Sequence, residues 1–378
     1  MTESAYSSPV LTLLADLVRI NSVNPAYEGG QSEAGIVKYL EDYFRQHAIE
    51  TWEQEVLPGR PNLIAMLPGR NRFRRLIFEA HTDTVYAGGM DIPPFDPVIS
   101  EGRIYGRGSC DTKGGLAAMA FAAVSLKKAG IVPGCEIWVV AAADEEHSFR
   151  GVRGLLEGLE ATAAVVSEPT EMRVAIASKG VLRWRIKCHG KAVHSSKPHL
   201  GVNAISNMAR VVLALEEKNG DLQSAPHPLL GVATLNVGLI EGGRQVNVVP
   251  DLCVIDVDRR LLPGEKIPDV LAHYGRLLDP ELGAEFERPM LEDEAFETSR
   301  DEPIVQCAIR VSQELGMGPE PIGVPFGTDA SKFSRHGIPS IICGPGSIDQ
   351  AHGAIEYIEC AQVEQAVEFY RHLMIAFE

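Results

Sequence analysis

Short apolar runs in this chain alternate with segments of helical periodicity, and this alternation restricts the fold more than any other feature. Runs at Leu76–Ala80, Glu136–Ala143 and Ala163–Ser167 predict buried strands. The segments between them, Gly114–Gly130 and 151–159, predict helices. Strands separated by helices pair in parallel, because the crossover returns the chain to the same end of the sheet. The sequence therefore predicts an α/β fold with a mixed, mostly parallel sheet flanked by helices.

The pattern changes in the middle of the chain. Val181–Cys188 largely alternates between apolar and polar residues, which is typical of a half-exposed antiparallel strand. The sequence after it predicts a helix at 202–218, two strands at 232–239 and 251–259, and a second helix at 267–278. We interpret residues 179–293 as a smaller α+β domain, inserted into an α/β domain formed by residues 1–178 and 294–378.

Composition narrows the range of partners. The 378 residues carry a formal net charge of −16, which disfavours nucleic acid and anionic membranes. The seven cysteines are scattered and contain no C-x-x-C pair, so we expect neither a disulfide framework nor a structural zinc knuckle. The sequence shows no membrane-spanning window and no signal-peptide pattern. We therefore expect a cytoplasmic protein with a small-molecule substrate and no nucleic-acid or membrane partner.

Imidazole and carboxylate side chains follow the ends of the predicted strands. The carboxyl ends of parallel strands meet at one edge of an open sheet, and ligand sites form there. Such side chains without thiolates suit zinc, cobalt or manganese in a hydrolytic site, where two ions about 3.5–4 Å apart can share a carboxylate. The candidate residues are His81, Asp83, Asp111, Glu145, Glu146, Glu168 and His352.

A less specific interpretation exists for each of these residues. A single acidic residue at a strand end is more often a helix N-cap or a solvated loop residue than a ligand. The set as a whole is harder to dismiss, because it requires several independent coincidences at one sheet edge. Asp83, two residues after His81, is placed in sequence to accept the second ring proton of a ligating imidazole.

Long segments around these residues resemble the M20 family of dinuclear zinc amidohydrolases, which includes acetylornithine deacetylase, succinyl-diaminopimelate desuccinylase, aminoacylases and glutamate carboxypeptidases. The resemblance covers essentially the whole chain. It implies a zinc-exopeptidase-like catalytic domain interrupted by a ferredoxin-like lid that forms a homodimer. The matching segments are Ala80–Val85, Gly106–Gly115, Asp144–Glu146, Ser167–Thr170, Gly190–Ile205, Val246–Pro250, Phe326–Asp329 and Gly344–His352.

The same resemblance implies how two ions would be held. One zinc would take His81 and Glu168, and the other would take Glu146 and His352. Asp111 would bridge them, with cobalt or manganese as possible substitutes for zinc.

The resemblance also implies the catalytic roles. Glu145 would be the general base. His194 of the lid would reach the active site of the other subunit and hold the developing oxyanion, although a plain surface position is the alternative. Three further positions match family residues that bind the substrate carboxylate and acyl oxygen: Asn247, Arg260 and Thr328.

The lid sequence bears on the choice of substrate. Lys179–Trp184 looks most like the acetylornithine deacetylase branch, and Ser178–Val181 lacks the Arg-Arg-Gly-Ser-type start usual in desuccinylases. Asp329 departs from the deacetylase motif, where Glu is common. We expect hydrolysis of a small N-acyl amino acid, with N-acetylornithine, an intermediate of arginine biosynthesis, as the best candidate. The alternatives are a dipeptidase or carboxypeptidase, a succinyl-diaminopimelate desuccinylase, and a non-catalytic binding or regulatory protein on the same fold.

Overall fold

The computed structural model describes residues 8–378, which divide into two compact units. The first unit contains the chain up to Ile176, together with Thr298–Ile322 and Thr328–Glu378. The second unit contains Ala177–Glu297 and the short segment Gly323–Gly327. The boundaries that the sequence indicated, at 178/179 and 293/294, lie close to these. The return of 323–327 to the second unit has no counterpart in the prediction.

The regular elements follow one another along the chain. The helices are α1 (Pro9–Arg19), α2 (Ala34–Gln46), α3 (Gly114–Ala129), α4 (Arg150–Leu156), α5 (Ala204–Asp221), α6 (Ile267–Leu277), α7 (Pro303–Glu314), α8 (Ala330–Arg335) and α9 (Cys360–Ala376). The strands are β1 (Glu50–Leu57), β2 (Arg60–Leu67), β3 (Asn71–His81), β4 (Val98–Ser100), β5 (Arg103–Tyr105), β6 (Cys135–Ala142), β7 (Ala163–Val166), β8 (Ala175–Ser178), β9 (Gly180–His189), β10 (Thr234–Gly242), β11 (Leu252–Leu261), β12 (Ala284–Phe286), β13 (Leu291–Asp293), β14 (Phe296–Glu297), β15 (Ile322–Val324), β16 (Ser340–Ile342) and β17 (Tyr357–Glu359).

The main sheet of the first unit has the order β1-β2-β6-β3-β7-β16-β8. Its central strands are parallel: β3 pairs with β6 and β7, and β7 pairs with β16. The flanking pairs β1–β2, β2–β6 and β16–β8 are antiparallel. The predicted mixed α/β sheet is confirmed, and its parallel centre places the ends of β3, β6 and β7 at one edge.

Close packing at α3 brings its first turn against the end of β7. A Cβ atom at Gly115 would lie 1.7 Å from the Oγ atom of Ser167, so only glycine fits there. Almost every residue from Gly114 to Leu126 is buried, because the helix is covered on all sides. On the same strand end, the Tyr370 hydroxyl of α9 donates to Cys343 O at 2.7 Å and contacts Ser167 Oγ at 3.0 Å.

The second unit is a separate α+β structure with its own core. Its antiparallel sheet has the order β10-β11-β9-β12, and β13 also pairs with β9. Helices α5 and α6 contribute Val211, Leu215 and Tyr274 to a cluster of buried side chains around Trp184. Among the helices of residues 8–378, none has the length and apolar character needed to cross a bilayer.

Candidate metal centre

Five side chains of the first unit form two ligand groups that share Asp111. Within each group, one possible ligand atom per residue lies within 4.8 Å of the others. The first group is His81, Asp111 and Glu168, and the second is Asp111, Glu146 and His352. The structure thus brings the residues together in the same division that the family resemblance implied.

The elements of the sheet explain why these residues meet. His81 is the last residue of β3, Glu146 lies shortly after β6, and Glu168 follows β7. Asp111 lies in the irregular turn Ser109–Lys113 that leads into α3. His352 has a φ of 60° and lies in the loop between β16 and β17. Separate segments therefore deliver their polar ends to one edge of a buried sheet.

Asp111 has the geometry of a bridging carboxylate. Its Oδ1 atom lies 3.0 Å from Nε2 of His81, and its Oδ2 atom lies 3.3 Å from Nε2 of His352. The same His352 atom lies 3.2 Å from Oε1 of Glu146. Burial opposes ionisation of Asp111, but the hydrogen bonds from His352 and His81 outweigh it and hold its pKa below the usual range. One oxygen of Asp111 therefore faces each ligand group.

The charge balance of the site fits divalent cations. Burial, followed by the nearby Asp111 and Glu145 carboxylates, raises the pKa of Glu168 well above its usual value. Three carboxylates and two imidazoles without a thiolate are oxygen and nitrogen donors, a set that suits zinc, cobalt or manganese. Positive charge at the two groups would offset the repulsion between the carboxylates.

The orientation of His81 is set differently from the prediction. Its Nδ1 atom lies 2.9 Å from the main-chain oxygen of Asp83, whereas the Asp83 carboxylate is 3.7 Å away. When the ring proton is on Nδ1 and points at this carbonyl, the lone pair of Nε2 is available to a metal ion. The structure thus gives the orienting contact to the backbone of Asp83.

The Asp83 carboxylate instead holds the segment that follows β6. It accepts hydrogen bonds from the backbone N–H groups of Glu145 at 3.0 Å and Glu146 at 3.1 Å. The Asn24 amide donates a third hydrogen bond at 2.7 Å. Burial, with the nearby Glu146 carboxylate, raises the pKa of Asp83 to about 7, although His81 opposes the shift. Asp83 thereby fixes the main chain of both glutamates.

Glu145 lies beside the ligand groups without belonging to either. Burial, together with the charges of Asp329, Glu146 and Asp111, raises its pKa well above the usual value, although the nearby His81 opposes the shift. A carboxyl group with a raised pKa that is not a ligand can hold a transferred proton. The adjacent Glu145 and Glu146 therefore differ in position, because Glu146 belongs to a ligand group and Glu145 does not.

Asp144, to which the sequence analysis assigned no role, is the centre of a buried polar network. It is fully buried and accepts hydrogen bonds from Asn24 at 3.0 Å, Arg60 at 2.9 Å, Ser148 at 2.8 Å and Arg150 at 2.5 Å. Burial opposes its ionisation, but these donors, led by Arg150, lower its pKa to about 2. Its position inside an acidic triplet was the only available signal in the sequence.

Three of the remaining predicted site residues lie in the second unit. His194 is exposed, and its Nδ1 atom accepts the backbone N–H of Ser196 at 3.1 Å, which leaves the proton on Nε2. Ser195 donates its backbone N–H to the main-chain oxygen of the exposed Asn247 at 3.0 Å, so His194 and Asn247 lie on adjoining segments. Arg260 is half-buried, and its Nε atom lies 2.9 Å from Asp258 Oδ1.

Thr328 has a structural role in the first unit. Its side chain is fully buried, and its hydroxyl accepts the backbone N–H of Ala330 at 3.1 Å, at the start of α8. The main-chain oxygen of Thr328 accepts a hydrogen bond from Lys332 Nζ at 3.1 Å. This burial disfavours the direct substrate contact that the resemblance implied.

Comparison with known proteins extends over nearly the whole chain. Residues 77–376 match the model of peptidase family M20/M25/M40. An acetylornithine deacetylase of Myxococcus xanthus is 32% identical over 79% of this chain and 79% of its own length. A probable succinyl-diaminopimelate desuccinylase of Staphylococcus epidermidis is 27% identical, with 97% of both chains covered. A probable carboxypeptidase of Aspergillus terreus is 30% identical over 98% of this chain and 86% of its own.

Solved structures give the same picture of the fold. The crystal structure of an aminopeptidase from Bacillus cereus superposes with a TM-score of 0.80 at 24% sequence identity. It covers 97% of this chain and 98% of the aminopeptidase. At this identity the likeness shows the fold alone. The relatives above carry the names of a deacetylase, a desuccinylase and a carboxypeptidase.

Proposed function

Because the chain belongs to peptidase family M20/M25/M40 and is a metal-dependent amidohydrolase, we propose that it hydrolyses the amide of a small N-acyl amino acid. N-acetylornithine is the preferred candidate, and acetate and the free amino acid are the products. The observation that carries the proposal is the pair of ligand groups around Asp111, with Glu145 outside both. A non-catalytic protein on this fold would be expected to lack part of that set.

The metal centre of this proposal contains two zinc ions, with cobalt or manganese as substitutes. His81 and Glu168 would hold one ion, Glu146 and His352 would hold the other, and Asp111 would bridge them. When bound, such ions lower the pKa of a coordinated water and polarise the scissile carbonyl.

Glu145 is the proton carrier of the proposed reaction. Its carboxylate takes a proton from the attacking water as the new C–O bond forms at the carbonyl carbon. The proton then passes to the amide nitrogen as the C–N bond breaks, so the amine leaves neutral. Asp83 supports this role through its hydrogen bonds to the main chain of Glu145 and Glu146.

Residues of the second unit complete the proposed site in a homodimer. His194 would act in the active site of the other subunit and donate a hydrogen bond from its Nε2–H to the carbonyl oxygen as negative charge develops. The hydrogen bond that Nδ1 accepts from Ser196 supports this tautomer. Arg260 and Asn247 are the proposed contacts of the substrate carboxylate. For Thr328 we propose a structural role at the start of α8.

A panel of substrates tests the choice of amide. The purified protein, loaded with zinc or with cobalt, is assayed on N-acetylornithine, N-acetylcitrulline, N-succinyl-diaminopimelate and simple dipeptides. The proposal expects the highest kcat/KM on N-acetylornithine. A higher value on the succinylated substrate would assign the chain to desuccinylation and overturn the preferred candidate.

Peptide hydrolysis is the second candidate function. It is favoured by the 30% identity to a probable carboxypeptidase over nearly the full chain. Both activities need the same metal centre and differ in the group on the acyl side of the amide. Efficient cleavage of dipeptides, with little activity on N-acetylornithine, would select this alternative.

The preferred proposal also includes the cytoplasmic location and the role in arginine biosynthesis expected from the sequence.

A further inference from the structure

Glu356 is a buried carboxylate that contacts the segment carrying the bridging ligand Asp111, and the proposed reaction does not use it. Its Oε1 atom accepts the backbone N–H groups of Cys110 at 2.9 Å and Asp111 at 3.1 Å. Its Oε2 atom accepts the backbone N–H of Gly108 at 2.9 Å and Nη1 of Arg107 at 2.8 Å. Both oxygens of one fully buried side chain are thus directed at the segment that leads to Asp111.

The same contacts join that segment to the loop of another ligand. The main-chain oxygen of Glu356 accepts the N–H of Gly106 at 3.0 Å, and Arg107 Nη2 donates to Gly353 O at 3.3 Å. Gly353 is the neighbour of His352. The buried Arg107–Glu356 pair therefore connects the turn that carries Asp111 with the loop that carries His352.

We propose that Glu356 is a positioning residue that holds Asp111 and His352 at the separation needed to bind two metal ions. This proposal rests on the proposed two-ion centre. The hydrogen bonds that backbone N–H groups donate to a charged carboxylate are strong and directional. Those to Glu356 fix the main chain of Asp111 before any ion binds. Because Asp111 belongs to both ligand groups, its displacement weakens the binding of both ions.

The decisive variant is Glu356→Gln, which keeps the shape of the side chain. The amide replaces one oxygen with an NH₂ group, which faces either Arg107 and the Gly108 N–H or the N–H groups of Cys110 and Asp111. In either orientation the NH₂ group faces donors, so one of the two pairs of hydrogen bonds is lost and the segment that leads to Asp111 is held less firmly. Substitution of a residue that supports a metal ligand typically lowers metal affinity by about 10–100-fold. We expect a loss of this size for zinc at both sites.

Glu359→Gln is the matched control. Glu359 is the last residue of β17, the strand that begins directly after Glu356, and it pairs with Arg103 at 2.7 Å, but its side chain is 39% exposed. Zinc and cobalt affinities are measured by calorimetric titration of the metal-free proteins, with unfolding temperatures recorded before and after loading. The control should bind both ions like the wild type.

The outcomes separate this proposal from the one on which it rests. A wild-type chain that binds no ions would contradict the two-ion centre itself. A wild type that binds two ions, with Glu356→Gln binding them equally well, would contradict only the positioning role, even if the variant unfolds at a lower temperature. Recovery of the variant's turnover at raised zinc concentration would support positioning.

Arg107→Lys provides the second test if Glu356→Gln does not fold. Lysine keeps the positive charge, but its single ammonium group does not reproduce the guanidinium contacts with Glu356 and Gly353. We expect a several-fold weaker affinity for zinc. Unchanged affinity at both sites in this variant would overturn the proposal.

Discussion

Arg60 and Asp144 form a buried ion pair, with Nη2 of the guanidinium 2.9 Å from Oδ1 of the carboxylate. Arg60 also binds the buried Glu33 carboxylate through two nitrogens, and Glu33 accepts the backbone N–H of Asp144 at 3.2 Å. This network fixes the main chain immediately before Glu145. Asp144, the residue before the proposed base, therefore acts through its contacts with the scaffold.

Asp144→Asn should destabilise the fold. The change removes one partner of a buried ion pair, which typically costs about 3 kcal/mol or more. Urea unfolding of the metal-free protein would measure the free energy of unfolding. Asp42→Asn is the control, because Asp42 forms an exposed pair with Lys38 at 2.9 Å, and an exposed ion pair contributes little to the free energy of unfolding. Equal stability of both variants would contradict the network.

The stabilising effect of Asp144 should depend on pH in a defined direction. Its pKa falls from an ordinary value of 3.8 to about 2 in the folded chain. A lowered folded-state pKa contributes stability that is present above the unfolded pKa and is lost as the pH falls through the folded one. The difference in unfolding free energy between wild type and Asp144→Asn should therefore shrink from about pH 4 to pH 2. A constant difference over this range would argue against ionised Asp144 as its source.

Glu145→Gln should lose turnover and keep its metals. Removal of a general base typically costs about 10²–10⁴-fold in rate, whereas Glu145 belongs to neither ligand group. Steady-state kinetics and elemental analysis of the same preparation test both halves of this expectation. Glu157→Gln, at an exposed position, should change neither quantity. Near-normal turnover of Glu145→Gln would refute the role of proton carrier.

The shared position of Asp111 predicts different metal contents for different ligand variants. Asp111→Ala removes a donor from both groups and should lower the occupancy of both ions. Glu168→Gln affects only the first group and should leave about one ion bound per chain. Elemental analysis after dialysis against a weak chelator distinguishes the two. Loss of a single ion from Asp111→Ala would mean that this carboxylate does not bridge.

Mixing of inactive variants tests whether His194 acts across a dimer. His194→Ala and Glu145→Gln should each be inactive alone. In an equal mixture, half of the dimers contain one of each, and one of their two sites combines intact Glu145 with intact His194. If His194 acts in the other subunit, about a quarter of wild-type activity should return after subunit exchange. No recovery in exchanged dimers would place His194 in its own subunit's site or outside catalysis.

The ligands could be predicted because each follows a strand that is evident from local hydrophobicity. The sequence indicated the strands before His81, Glu146 and Glu168, and the parallel sheet then required them to meet. The edge strand β1 and its antiparallel neighbour β2 were not predicted, and polar residues interrupt the apolar pattern of β1 over Glu50–Leu57. The C-terminal helix α9 was not predicted either, although it packs Tyr370 against the end of β7.

The supporting residues could not be predicted in the same way. Asp144 meets Arg60, and Glu356 meets the backbone of Gly108, Cys110 and Asp111, far from each of them in the chain. Acceptance of backbone hydrogen bonds leaves no periodicity and no spacing rule in the sequence. The same holds for Asp83, whose carboxylate binds backbone N–H groups while its carbonyl contacts His81.

The inserted second unit separates the ligands in the order of synthesis. His81, Asp111, Glu146 and Glu168 all precede Ala177, whereas His352 and Glu356 follow the insertion. A ribosome thus synthesises every ligand of the first group before it begins the second unit. The last imidazole of the second group is made only after the second unit. Glu356, which we propose to hold the main chain of Asp111 for both ions, also follows the second unit, so neither metal position is fully supported until both parts of the first unit have been made.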